Sequence, residues 1–227
     1  MQHVLASLII DKTVIITGKY YPMSGFICSM KDLQVLEKKE SAKTMTQAMT
    51  DKALAQAECL YDMKAIETAL DKLANQLNAH YANLNPLLLC VMKGALVTMG
   101  QLLPKLTFPL EIDYIHATRY GDKLEGGEVD WLHKPETALE GRHIILIEDI
   151  VDQGDTLNVL RNYCVENKIK SVACATLVNK LQVSQACEPA EFIALTVPNR
   201  YVFGFGLDYQ GQARQFPGIY ALPESQA

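Results

Sequence analysis

Ile144-Ile145-Leu146-Ile147-Glu148-Asp149-Ile150-Val151-Asp152-Gln153-Gly154-Asp155-Thr156-Leu157 decides how the rest of the chain is read. The four apolar residues predict a buried strand. Adjacent carboxylates, Glu148 and Asp149, end it, and a third, Asp152, follows shortly. Gly154 and Thr156 then open a helix. In an open α/β sheet, ligands sit beyond the carboxyl ends of the strands, so these acids point towards a site. The turn into the helix presents backbone N–H groups where phosphate binds well. Acids beside an anion cradle suit a ligand with both hydroxyls and a phosphate, such as a ribose phosphate.

The stretch resembles the ribose-phosphate signature of the phosphoribosyltransferases: apolar strand, Glu-Asp, two apolar residues, Asp, and a short glycine turn ending in Thr. A plain reading also exists, in which solvated acids merely favour a helix N-terminus. A receiver domain also carries an acid pair after a strand, but it needs that pair near its start, and too little chain follows Thr156. Further runs match the purine branch of the family in the right order. They are Cys90-Val91-Met92-Lys93-Gly94, Thr118-Arg119-Tyr120-Gly121, Leu177-Val178-Asn179-Lys180, and Asn199-Arg200-Tyr201-Val202 with Gly206-Leu207-Asp208-Tyr209.

Bulk composition excludes several classes. Net charge is −5 over 227 residues, without the basic surplus of a nucleic-acid binder. The six cysteines are scattered with no Cys-x-x-Cys pair, which fits free thiols in a reducing cytoplasm. The histidines lack metal-ligand spacing. The apolar stretch Val4 to Ile16 is broken by Asp11 and Lys12, too short to span a membrane and a poor signal peptide.

Residues 1–44 are expected to form an extension of unknown role that the resemblance does not cover, with short strands at Leu8-Ile9-Ile10 and Val14-Ile15-Ile16 and a weakly helical Lys31–Lys43. Residues 45–227 are expected to be the phosphoribosyltransferase domain. Asp62 caps a helix with an apolar stripe at Ile66, Leu70, Leu73, Leu77 and Tyr81. Strands are predicted at Leu87–Met92, Leu110–Thr118, Ser171–Val178 and Phe192–Val197, with helices at about Ala95–Leu103 and Thr156–Asn167. That alternation predicts an α/β fold with a parallel twisted sheet flanked by helices. The resemblance adds a small hood, built largely from residues 180–227.

The resemblance also implies roles. Asp152 would be the general base for purine N7, and Glu148 and Asp149 would hold the ribose hydroxyls. Gln153, Gly154, Asp155 and Thr156 would cradle the 5′-phosphate. Here Gln153 replaces the usual Thr, and Asp155 sits at the variable position. Lys93, Gly94 and Arg214 would take pyrophosphate, with a cis peptide at Met92–Lys93. Lys180, Tyr201 and Val202 would bind the base, through a 6-oxo contact, stacking and backbone groups respectively. Mg2+ would be held by Asp208, with Glu148 and Asp149. Arg119 and Tyr120 would begin a lid running to Pro135, with Trp131 as its anchor.

The expected activity is transfer of phosphoribosyl from phosphoribosyl pyrophosphate to a 6-oxopurine, in a homodimer or homotetramer with no nucleic acid or membrane partner. One alternative is a catalytically weak regulatory homologue that only binds nucleotide. Another is an enzyme preferring xanthine.

Overall fold

Leu87–Val91 (β5) is apolar at every position and fully buried, which places it at the centre of a sheet covered on both faces. His143–Val151 (β8), the strand of the signature, runs parallel beside it, with Leu87 opposite Ile144 and Cys90 opposite Ile147. The computed structural model describes residues 8–10, 13–16, 19–22, 55–119, 129–181 and 189–223. The chain divides into two compact units, Met1–Met49 and Thr50–Ala227.

In the first unit, Leu8–Ile10 (β1), Thr13–Ile16 (β2) and Lys19–Pro22 (β3) form an antiparallel sheet in that order. The two expected strands are present, and Lys19–Pro22 adds a third. The expected helix at Lys31–Lys43 lies outside the described residues.

In the second unit, Glu58–Asp62 (β4) leads into Met63–Tyr81 (α1). Asp62 accepts the Ala65 N–H at 2.8 Å, which satisfies one of the helix's unpaired first-turn donors. The helix buries Ile66, Leu70, Leu73, Leu77 and Tyr81, the stripe that the spacing predicts. Ala95–Leu102 (α2) follows β5 and ends in a short 3-10 turn at Leu103–Lys105, where Pro104 stops the α-helix. Glu111–Arg119 (β6), Ser171–Lys180 (β9) and Phe192–Val197 (β10) complete the parallel strands, and Asp155–Glu166 (α3) connects β8 to β9.

The strand order is β10-β9-β8-β5-β6-β7, where β7 is Val129–His133. All neighbours are parallel except β7, which runs antiparallel to β6 at the sheet edge. The stretch expected as a lid therefore divides. Val129–His133, Trp131 included, is a strand rather than loop, because it completes a hairpin with β6. Tyr120 and residues 121–128 lie outside the described residues, as does the side chain of Arg119.

A second, smaller sheet has the order Val202–Phe203 (β11), Gly218–Ala221 (β12), β4. Lys180 and β10 belong to the large sheet, so the small one begins at Val202 and recruits β4 from far upstream. The tie is reinforced by Arg200, which donates to the Leu222 carbonyl and pairs with Glu58.

Candidate functional site

The chain leaves β5 for β6 on one side, while β8 continues to β9 on the other. Where the winding reverses, the two connections diverge and open a crevice beyond the strand ends. A cavity of about 480 Å³ occupies it. Lys93 and Gly94 after β5 form one wall, and the run Glu148–Gly154 with Thr156 and Leu157 forms another. Ala117 of β6 and the pair Asp208 and Arg214 close the remaining sides.

Glu148 is only 7% exposed and its Oε1 accepts the Asp149 N–H at 3.1 Å. Asp149 Oδ1 accepts the Ile150 N–H at 2.9 Å. Burial first, and the charge of Asp149 second, push the Glu148 carboxyl well above the ordinary carboxylate range. Burial also raises Asp149, opposed by the bond with Glu148, the Ile150 N–H and the charge of Arg214. Beneath the pair, burial and the two carboxylates push the Cys90 thiol up to about 11. Two acids held side by side away from water favour a ligand that brings hydroxyl donors or positive charge.

Gly94 makes this packing possible. A Cβ at that position would fall inside the Asp149 carboxylate, so only glycine leaves room for the acid. The carbonyl of Gly94 is approached in turn by Gly206, where a side chain would collide with it. The peptide between Met92 and Lys93 is cis, as the resemblance implied.

The turn after β8 places Gly154 at φ 88°, a conformation that favours glycine, directly before α3. Gly154 brings no side-chain cap to the helix start, which leaves that end suited to an anion. Gln153, Gly154 and Thr156 line the cavity. Asp155, also expected in the phosphate cradle, sits in the first helical turn, where an acid complements the helix dipole, and is not among the residues that line the cavity.

Asp152 and Lys180 meet. Lys180, its side chain 12% exposed, donates from its ammonium to Asp152 Oδ2 at 2.8 Å, joining the end of β9 to the turn after β8. Asp208 and Arg214 also pair, at 2.6 Å, and Arg214 donates a second bond to the Gly206 carbonyl. Arg214, expected from the resemblance to take pyrophosphate, lines the cavity. Lys180, Tyr201 and Val202 are not part of the cavity wall. Lys180 is joined to it by Asp152, and Tyr201 donates its hydroxyl to the Asp208 carbonyl at 3.0 Å. Val202 is buried, and its backbone pairs with Ala221 in the small sheet. The described residues hold no cluster of three or more metal-ligating side chains.

Ala117 and Gly206 were missed from sequence. Ala117 carries no functional group, and its place in the wall follows only from the pairing of β6 with β5. Gly206 stood within a matched run, but its approach to Gly94 is a tertiary fact.

The family model for the phosphoribosyl transferase domain matches residues 56–210. A hypoxanthine-guanine phosphoribosyltransferase of Streptococcus thermophilus is 38% identical over 166 residues, 73% of this chain and 92% of the relative. A crystal structure of a hypoxanthine phosphoribosyltransferase from Staphylococcus aureus superposes with a TM-score of 0.70 at 26% identity, covering 74% of this chain and 92% of that one. A hypoxanthine phosphoribosyl transferase of Trypanosoma cruzi, described in terms of its C-terminal region's role in oligomeric state and activity, has a TM-score of 0.70 at 27% identity, with the same coverage.

Proposed function

Because the chain belongs to the phosphoribosyltransferase family, we propose that it transfers the 5-phosphoribosyl group from phosphoribosyl pyrophosphate to N9 of hypoxanthine or guanine and releases pyrophosphate. The observation that carries this reading is the Asp152–Lys180 pair at 2.8 Å, in line with the buried Glu148 and the half-buried Asp149 on the same run of the cavity wall. In a 6-oxopurine the 6-oxygen and N7 lie on one edge. A donor and a carboxylate in mutual contact match them, with Lys180 donating to the oxygen and Asp152 accepting the N7 proton. An ammonium cannot accept from the 6-amino group of adenine, so the same pair disfavours that base.

As N9 bonds to the ribose C1′, the bond from C1′ to pyrophosphate breaks and the electron pair leaves with pyrophosphate. The N7 proton passes to Asp152. Glu148 and Asp149 hold the ribose hydroxyls and stabilise the positive charge that develops on the sugar as the two bonds exchange. The backbone at Lys93 and Gly94, with Arg214, takes pyrophosphate, for which a planar guanidinium is suited. Gln153, Gly154, Asp155 and Thr156 receive the 5′-phosphate, Gln153 through its amide in place of a hydroxyl and Asp155 through its backbone N–H. Tyr201 stacks on the base, and Val202 contributes backbone groups.

Asp208, Glu148 and Asp149 offer hard oxygen donors but no closed cage, which fits Mg2+ that keeps its waters and takes substrate oxygens. When bound it neutralises pyrophosphate charge. We take residues 45–227 as the catalytic domain and 1–44 as an extension. The protein is proposed to be a cytoplasmic homodimer or homotetramer. No described helix is long and apolar enough to cross a membrane.

The test is a steady-state comparison of hypoxanthine, guanine, xanthine and adenine with phosphoribosyl pyrophosphate and Mg2+, on the wild type and Asp152→Asn. The expected result is turnover with hypoxanthine and guanine, and a loss of about 10²–10⁴ in Asp152→Asn, the usual share of a general base. Wild-type enzyme that binds nucleotide yet makes no product would leave a regulatory binder instead.

A further inference from the structure

We infer that Trp131, Tyr163 and Lys134 form a positioning element that sets the spacing between two walls of the phosphoribosyl pocket; this rests on the function proposed above. The first wall is Ala117, which lines the cavity from β6. Its Cα partner across the hairpin is Trp131 of β7. Among the described residues, β7 is the edge strand and the one antiparallel member of the large sheet, joined to it through β6. The second wall is the start of α3, where Gly154, Thr156 and Leu157 line the same cavity. Tyr163 lies on that helix, and its ring stands 4.8 Å from the Trp131 ring. One aromatic contact therefore links the edge hairpin to the helix whose first turn faces the cavity.

The contact is not needed to seat α3. The helix already buries Leu157, Leu160, Arg161 and Cys164, a stripe that repeats at helical spacing, and Tyr163 lies on its flank, half-buried. Nor is it an ordinary greasy cluster. The exposed Lys134, the residue after β7, carries its ammonium over both rings, 5.2 Å from the Trp131 centroid and 5.3 Å from that of Tyr163. A cation over two ring faces adds directional attraction that plain burial lacks. The arrangement fixes the hairpin against α3 at a definite distance, and with it Ala117 against the helix N-terminus.

A wall displaced by a fraction of an ångström should weaken binding of the sugar phosphate and leave proton transfer at Asp152 untouched. The test uses the full chain with Trp131→Leu, Trp131→Phe and Tyr163→Leu. It follows kcat, KM for phosphoribosyl pyrophosphate, KM for hypoxanthine and thermal midpoint. The expected result for Trp131→Leu and Tyr163→Leu is a rise of about tenfold in KM for phosphoribosyl pyrophosphate, within the range that small misplacements produce. Turnover and KM for hypoxanthine should change less than about threefold, and Trp131→Phe should return the donor KM to near wild type. Trp131 is the chain's single tryptophan, so its emission should change when phosphoribosyl pyrophosphate alone is added to the wild type, and less so in Tyr163→Leu. If Trp131→Leu unfolds, Tyr163→Leu and the emission titration carry the test. An unchanged donor KM overturns the inference. So does a parallel rise in both KM values with a falling midpoint, which marks a purely structural contact. Absence of product from the wild type would instead overturn the function on which it rests.

Discussion

Gly94→Ala should disable the site through one added methyl group. The backbone of Gly94 has φ −65° and ψ −43°, a helical conformation that alanine adopts freely. On the backbone alone the substitution would stabilise by about 0.4–1 kcal/mol, by narrowing the unfolded ensemble. Space decides the outcome instead, since the new Cβ would fall inside the Asp149 carboxylate. Asp149 has little room to yield: it lies within β8, between β5 and β9, and its Oδ1 is held by the Ile150 N–H. Gly94 has little room either, with Gly206 against its carbonyl.

Overpacking at such a point costs about 1–3 kcal/mol. Loss of the Asp149 hydrogen bond adds about 0.5–1.5 kcal/mol. Set against the backbone gain, the net destabilisation is roughly 1–4 kcal/mol, a fall of a few degrees or more in thermal midpoint for a chain of this size. A carboxylate moved by about an ångström should cost about 10² in turnover. The control is Gly100→Ala in α2, where a Cβ would meet nothing within 4 Å. That variant should gain about 0.5–1 kcal/mol and keep its activity. Thermal melts and steady-state rates with phosphoribosyl pyrophosphate and hypoxanthine compare the two. If Gly94→Ala melts as high as Gly100→Ala and turns over within about threefold of wild type, the Asp149 carboxylate is not confined as described.

Lys180→Met should lower kcat/KM for hypoxanthine by about 10–10², the equivalent of one charge-assisted hydrogen bond, with no gain for guanine over hypoxanthine; an unaltered rate would remove Lys180 from base recognition. Asp62→Ala should cost about 0.5–2 kcal/mol in urea unfolding by uncapping α1, with little effect on KM; a variant as stable as wild type would mean the Ala65 bond contributes nothing net. For Glu148 the folded carboxyl is raised above its unfolded value, so the folded state binds the extra proton. Its stabilising effect is complete below the pH at which an exposed glutamate titrates, and is lost as pH rises towards the raised folded value. In melts without divalent cations, Glu148→Gln should therefore gain on wild type as pH rises through that window, and a constant difference would show that the acid is not raised.

The carboxylates of the signature, the cap at Asp62 and the stripe on α1 were all legible before any coordinates, because each depends on neighbours within one element. Local periodicity reports burial directly, so β5 and α1 could be read to within a residue or two, whereas β8 continues through both carboxylates to Val151 because its pairing with β9 extends past the apolar run. The Trp131 region was misread as loop because the pairing that makes Val129–His133 a strand lies across a hairpin, in β6.

By itself, then, the order of residues determined the α/β class, the signature and the chemistry available to it, since those follow from short-range pattern and residue type. Folding in three dimensions decided that Lys180 bonds to Asp152, that Arg214 reaches the cavity with Asp208, and that a glycine on the connection after β5 makes room for an acid on β8. The Lys180–Asp152 and Gly94–Asp149 contacts join residues on different strands or their connections, and only the order of those strands in the sheet brings them within reach.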